Sequence, residues 1–196
     1  MTQAPRRAGR PPVLTVERIV AAAVGILDAE GPDALTMRRL GADLGVAAMS
    51  LYRHVPNRDA LVAKVVDHLF AEAMAGYTPQ ADWPRALAGF ATAYRRFLLA
   101  HPRAVPLLAT HPVDVRLGTE LLTGLLARFE AAGVPAADTV NAVQSVAVYV
   151  LGHTLAQVGS TAETHDQDAL RFYDQWFEAG LGAMVSGFER QLATAD

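Results

Sequence analysis

The stretch LTMRRLGADLGVAAMSLYRHVPNR, residues 35–58, reads as two short helices joined by a tight turn. Leu40 and Leu44 lie four residues apart and share one face of the first helix. Gly45 can end that helix, because glycine enters the left-handed conformation without a Cβ clash. Val46 and Leu51 give the second helix its apolar face, closed by Val55 and Pro56. Gly41 is small where the two helices would cross. Thr36 stands where the first helix would be capped, and Asn57 where the helix after Pro56 would be. Two helices this short bury little alone, so they must pack on something larger. The side chains left outside are Arg38, Ala48, Met49, Ser50, Tyr52, Arg53, His54 and Arg58. They place phosphate-capable donors around small or apolar groups. A helix-turn-helix meets DNA in this way: a short second helix enters the major groove and flanking donors hold the backbone.

The same residues resemble the DNA-binding domain of TetR-family transcriptional regulators. The matching positions are Leu35-Thr36-Met37-Arg38-Arg39-Leu40-Gly41, Leu44-Gly45-Val46, Leu51-Tyr52-Arg53-His54-Val55-Pro56-Asn57-Arg58 and Leu61. The resemblance implies that Arg38, Ala48 and Met49 face bases. It implies that Ser50, Tyr52, His54 and Arg58 face the DNA backbone, with Thr36 at a helix start nearby. Arg38 is forked and always charged, so it suits either a guanine edge or a phosphate. Ala48 stands where the tetracycline repressor has an amide-bearing residue. It can only touch a thymine methyl or leave room for water, so a different operator is expected. The alternative to all of this is an ordinary αα-hairpin that exposes a tyrosine and a histidine.

The chain has 196 residues, enough for one large or two small domains, and 52% of them are hydrophobic. It contains no cysteine, which removes disulfides and thiolate metal sites and suits a reducing compartment. No long uncharged apolar run suggests a membrane span, and the N-terminus lacks the apolar region of a secretory signal. A cytoplasmic protein is expected. The net charge of −3 hides an asymmetry: residues 1–64 carry nine Lys/Arg and six Asp/Glu (+3), residues 65–196 eight and fourteen (−6). A basic end on an acidic body fits a DNA-binding end joined to another kind of domain.

Residues 1–12 hold Arg6, Arg7 and Arg10 among Pro and Gly. They read as a flexible basic arm, which either follows phosphates or is a solvated tail. Residues 15–30 read as the first helix, capped by Thr15, with Ile19, Ala23, Ile26 and Leu27 buried and Gly31-Pro32 ending it. The helix-turn-helix domain is placed at residues 13–60. Its last helix continues to residue 76 with Leu61, Val65, Leu69 and Ala73 inward, as a connecting rod. The break between parts is placed at residues 77–81, and residues 77–196 form the second domain. There, helices are expected at 82–100, 102–109, 114–132, 135–159 and 167–191, with a polar loop at 159–166. No strand alternation or repeat appears, so the fold class is all-α.

The last two long helices are apolar on more than one face. Val140, Val143, Val146, Ala147, Val150, Leu151 and Leu155 nearly encircle one. Phe172, Trp176, Phe177, Leu181, Met184, Val185 and Phe188 line the other, where they read as packing. Such helices call for partners on several sides. A homodimer joined through these two helices is expected, the alternative being a purely intramolecular core. TetR-like proteins dimerise in this way. His153 reads as a core or interface histidine bonded to a carbonyl.

The second domain also resembles the tetracycline-repressor subgroup, through Trp83, Tyr94-Arg95-Arg96, Leu98-Leu99-Ala100-His101, Thr110-His111-Pro112 and Tyr149-Val150-Leu151-Gly152. The resemblance implies an effector pocket around Met74, Phe90, Tyr94, Leu107, Thr110, His111, Leu122, Leu125, Val143 and Gln144. The tetracycline repressor binds a drug–Mg²⁺ chelate through histidines and an acidic partner. Leu107 (or Leu108, with a one-residue gap), Met74 and Ala156 stand at those places and offer no donor to a hard cation. No metal and no cofactor is therefore expected, and the effector is expected to be small and largely apolar.

The chain has no HExxH, no GxSxG, no phosphate-binding loop and no cysteine nucleophile, and Asp67 and His68 point to different sides of a helix. An enzyme is not expected. The expected function is a ligand-responsive DNA-binding regulator, a repressor that leaves a palindromic operator when its effector binds. The alternatives are an activator, or a helical interaction module of the same fold without specific DNA binding.

Overall fold

The computed structural model describes residues 14–159 and 167–193. The basic arm at residues 1–12 and most of the polar loop at 159–166 lie outside the described residues. Within them are ten α-helices, one 3-10 turn at Pro32–Ala34 and no strand. The N-terminal helices are α1 (Val16–Glu30), α2 (Met37–Leu44), α3 (Ala48–Leu51) and α4 (Arg58–Ala75). The body holds α5 (Trp83–Ala100), α6 (Val105–Thr110), α7 (Val115–Leu121), α8 (Thr123–Ala131), α9 (Ala136–Gly159) and α10 (Gln167–Ala193).

Side-chain caps set most starts. Thr15, Thr36, Asn57, Asp82 and Asp114 each accept the backbone N–H three residues on, at 2.8–3.3 Å. The helix expected over residues 102–109 begins later, at Val105, because residues 102–104 form a turn after α5. The single helix expected over 114–132 is two, α7 and α8, divided at Leu122 (φ −97°, ψ 9°). The Thr123 hydroxyl donates back to the carbonyls of Thr119 and Glu120, a bond that bends helices, and glycines at 118 and 124 weaken the helix on either side.

Helices α1 to α4 close over one core in which Ile19, Leu27, Leu35, Leu40, Leu51, Val55 and Leu61 are fully buried. In the body α5 is central and packs on α4, α8, α9 and α10. Phe90 at its middle is fully buried, and Trp83 stacks on Phe129 at 4.8 Å.

Besides the packing of α4 on α5, hydrogen bonds among the described residues fix head and body at three places. Residues 77–80 break the helix as expected, yet they are seated tightly on the body. Tyr77 donates its hydroxyl to Ala86 O at 2.7 Å, and Arg128 Nε donates to Gln80 O at 2.9 Å. Pro79 and Gln80 lie over Gly124 and Gly89, where an added Cβ would stand 2.8 Å from Pro79 Cγ and 2.5 Å from Gln80 Oε1. The second joint is the end of α1. His101 Nδ1 meets the Asp28 carboxylate at 3.0 Å, and Arg103 donates to the carbonyls of Asp28 and Ala29. The third links Asp67 of α4 to Asp114 ahead of α7, at 2.9 Å.

Candidate nucleic-acid interface and effector cavity

The turn between α2 and α3 is built by two glycines. Gly45 adopts φ 67°, ψ 31°, and Val46 N–H donates to Gly41 O at 2.9 Å. A Cβ on Gly41 would lie 2.9 Å from Val46 O and 3.3 Å from Ala48 N, so only glycine lets the second helix come this close. Leu51 and Val55 anchor that short helix from below, both fully buried. Met49 is 74% exposed and Tyr52 42% exposed on its outer side, flanked by the partly buried Ala48, Ser50 and His54.

The adjacent arginines of α2 have different fates. Arg39 donates to Glu30 at 2.6 Å and to Asp43 at 3.3 Å, and the hydrogen bond to Glu30 raises its already high pKa. Arg38 points to solvent and pairs with no side chain among the described residues. The Thr36 oxygen caps α2 by accepting Arg39 N–H at 3.1 Å, which leaves the hydroxyl proton to donate elsewhere. Arg58, grouped by sequence with the DNA-facing residues, turns back on the head: Nε donates to Leu35 O at 3.1 Å and Nη2 to Pro32 O at 3.4 Å. It braces α4 against the segment that precedes α2.

A cavity of about 500 Å³ lies among α4 to α9. Phe90, Tyr94, Thr110, His111, Leu122, Val143 and Gln144, all named from sequence, line it together. Met74, Leu107 and Leu125 do not. Each is buried in the core, while Leu108, the neighbour of Leu107, lines the space. The sequence reading missed Phe70, Ala109, the segment of residues 112–115, Gly118, Thr119, Leu126, Val140, Ala147, Val148 and Leu151. Phe70 gave a signal: it is a large apolar residue beside the inward stripe of α4, so that helix has a second buried face.

The wall is mostly apolar, and its polar groups are sorted into used and unused. Thr110 donates to Pro106 O at 2.8 Å, and His111 Nδ1 lies 3.1 Å from Leu107 O. Asp114 is occupied in capping α7. The Tyr94 hydroxyl and the Gln144 amide have no hydrogen-bond partner among the described residues. Burial pushes the Tyr94 phenol upward, so it stays a neutral donor and acceptor. No group of three or more metal-binding side chains occurs among the described residues.

His153 is buried at 4% exposure; among the described residues neither ring nitrogen makes a well-aligned hydrogen bond, though the Tyr173 backbone is near enough to favour the charged ring. The ring instead packs among Trp176, Phe177, Tyr149 and Tyr173, with centroids 4.8–5.9 Å away. Burial, then the nearby Arg95 guanidinium, lowers its pKa. Beside it the outer faces of α9 and α10 expose Leu155, Phe172 and Trp176.

Residues 19–65 match the profile of bacterial regulatory proteins of the tetR family, and residues 75–172 that of the tetracyclin repressor-like C-terminal domain. The chain belongs to the TetR family. An HTH-type transcriptional regulator of Saccharopolyspora erythraea is 34% identical over 146 residues, 74% of this chain. The chain spans only 62% of that relative's length. Among solved structures, ActR of Streptomyces coelicolor superposes with a TM-score of 0.80 at 26% identity, covering 96% of this chain and 100% of ActR. ActR has also been solved in complex with actinorhodin. BioQ of Mycobacterium smegmatis superposes with a TM-score of 0.69 at 32% identity, covering 89% and 98% of the two chains. A BioQ structure with its double-stranded DNA operator superposes with a TM-score of 0.70 at 31% identity, covering 90% and 98%. The two TetR-family profiles divide between the four-helix head and the body that holds the cavity. No helix among the described residues of this TetR-family chain is long and apolar enough to cross a membrane.

Proposed function

We propose that the chain is a homodimeric, ligand-responsive DNA-binding regulator. It acts as a repressor that leaves a palindromic operator when a small, largely apolar effector enters the body. The observation that carries this is the course of α4. Its first residue, Arg58, is bonded to the helix-turn-helix head, and Phe70 on the same helix forms part of the cavity wall. One rigid element therefore touches both candidate sites. Residues 13–60 act as the reading head and 77–196 as the body. Arg38, Ala48 and Met49 face bases, and Thr36, Ser50, Tyr52 and His54 hold phosphates. Arg58 serves chiefly as the brace. The Tyr94 hydroxyl and the Gln144 amide supply the polar contacts to an otherwise apolar effector. The exposed apolar faces of α9 and α10 pair across a two-fold axis. The role is regulatory: in the cavity wall Thr110 stands 3.1 Å from His111 Nδ1, but its hydroxyl is taken up by the Pro106 and Leu107 carbonyls, and a cytoplasmic setting suits the cysteine-free composition.

The relatives support this: ActR has been solved in complex with actinorhodin, and BioQ with its double-stranded DNA operator. The test is selection of genomic fragments by the purified chain at physiological salt, followed by footprinting. Recovery of a pseudo-palindrome with half-sites roughly 34–36 Å apart is expected. Recovery of only weak, sequence-independent fragments would favour an interaction module. A footprint upstream of a promoter, with transcription rising on binding, would favour an activator.

A further inference from the structure

Helix α4 lines the cavity at one point and, one turn away, is bonded to a residue of its wall. Phe70 contributes an apolar wall and stands edge-on to Tyr94 at 5.5 Å. Three residues earlier, the half-buried Asp67 accepts the backbone N–H of Asp114 at 2.9 Å. Asp114 belongs to the run of residues 112–115, all of which line the cavity. Its own carboxylate accepts Leu117 N–H at 3.0 Å and so starts α7. Among the described residues, the bond from Asp67 is the only hydrogen bond that joins α4 to this wall. A packed apolar contact such as Phe70 on Tyr94 resists compression but slides easily. A hydrogen bond with a fixed acceptor resists separation and sets direction.

We propose that Asp67 is the positioning residue through which movement of the 112–115 wall is passed to α4 and on to the reading head. An occupant that pushes this wall outward pulls α4 through the Asp67 tether. At the other end of the helix Arg58 carries the displacement to the carbonyls of Pro32 and Leu35, just ahead of α2. This rests on the ligand-responsive function above and names its transmission residue. The role needs an acceptor at position 67 but not a charge, because the donor is a neutral backbone amide.

The absence of cysteine allows a clean test. In a Gln144→Cys chain, alkylation with N-(1-pyrenyl)maleimide places an aromatic occupant in the cavity from its α9 wall. Amide hydrogen exchange is then followed by mass spectrometry, labelled against unlabelled, with Asp67, Asp67→Asn or Asp67→Ala. With Asp67 the label should change exchange across residues 58–66 at least threefold. With Asp67→Ala the change should stop at residues 108–126, and the Asp114 amide should exchange about tenfold faster even without label. Asp67→Asn, which keeps a carbonyl acceptor, should restore transmission. Equal transmission in the Ala and Asp chains would overturn the proposal, as would an Asn chain that behaves like Ala. Circular dichroism confirms that each variant is folded. Transmission to α4 without any change in duplex affinity would leave the tether intact and refute the DNA-release function instead.

Discussion

Side by side in the sequence, Arg38 and Arg39 are indistinguishable by type, yet the fold uses them for different ends. Arg39 is held by Glu30 and Asp43, while Arg38 pairs with no side chain among the described residues. Arg38→Ala should cost about 1–3 kcal/mol at one base position of the operator and leave scrambled duplex nearly unaffected. Arg39→Ala should leave base preference unchanged. Fluorescence anisotropy against a panel of single-base operator variants checks both, and equal losses on all sequences for Arg38→Ala would refute base reading. Gly41→Ala should destabilise the head by about 1–3 kcal/mol in urea unfolding, because the new Cβ meets the backbone oxygen of Val46 rather than a side chain that could move. At His153 the sign follows from burial. Its pKa in the fold lies below the unfolded value of 6.5, so below that pH the unfolded chain binds more protons. The stabilisation is complete above pH 6.5 and is lost as pH falls through the lowered value. The thermal midpoint should therefore drop from pH 7 to pH 5, and His153→Leu should flatten that drop.

Among the elements, those with a clear period and a capping residue were legible from sequence. The boundaries of α1, α2, α4, α5 and α9 fall within one or two residues of expectation, because Thr15, Thr36, Asn57 and Asp82 mark four of those starts and Gly or Pro the stops. The division of α7 from α8 was not legible. It depends on which way the Thr123 hydroxyl turns, and Thr-rich helices run both bent and straight. The cavity was legible in part. Seven of its lining residues follow from the resemblance, but whether Met74, Leu107 and Leu125 face the space or the core is decided by a fraction of a helical turn. The residues 112–115 carry no period at all. Asn57→Ala removes the acceptor for Ala60 N–H at the start of α4 and should lower stability by about 1 kcal/mol in thermal or urea unfolding.

The whole molecule presents an apolar flank on α9 and α10, where Phe172 is 60% and Trp176 45% exposed. Trp176→Glu should turn a dimer into a monomer in analytical ultracentrifugation and weaken operator binding, while leaving the fold of each chain intact. A wild-type chain that sediments as a monomer at micromolar concentration would remove the two-fold pairing. The seating of residues 77–80 has a mechanical consequence for the same assembly. Because that connector is bonded at Ala86 and Arg128 and rests on two glycines, the Ala75 end of α4 is a fulcrum rather than a loose joint. Asp67 stands eight residues from Ala75 and Arg58 seventeen, or about 12 Å and about 26 Å along the axis at 1.5 Å per residue. The helix is a lever with a gain of about two, so a shift of about 1 Å at the cavity wall emerges as about 2 Å at the base of the reading head.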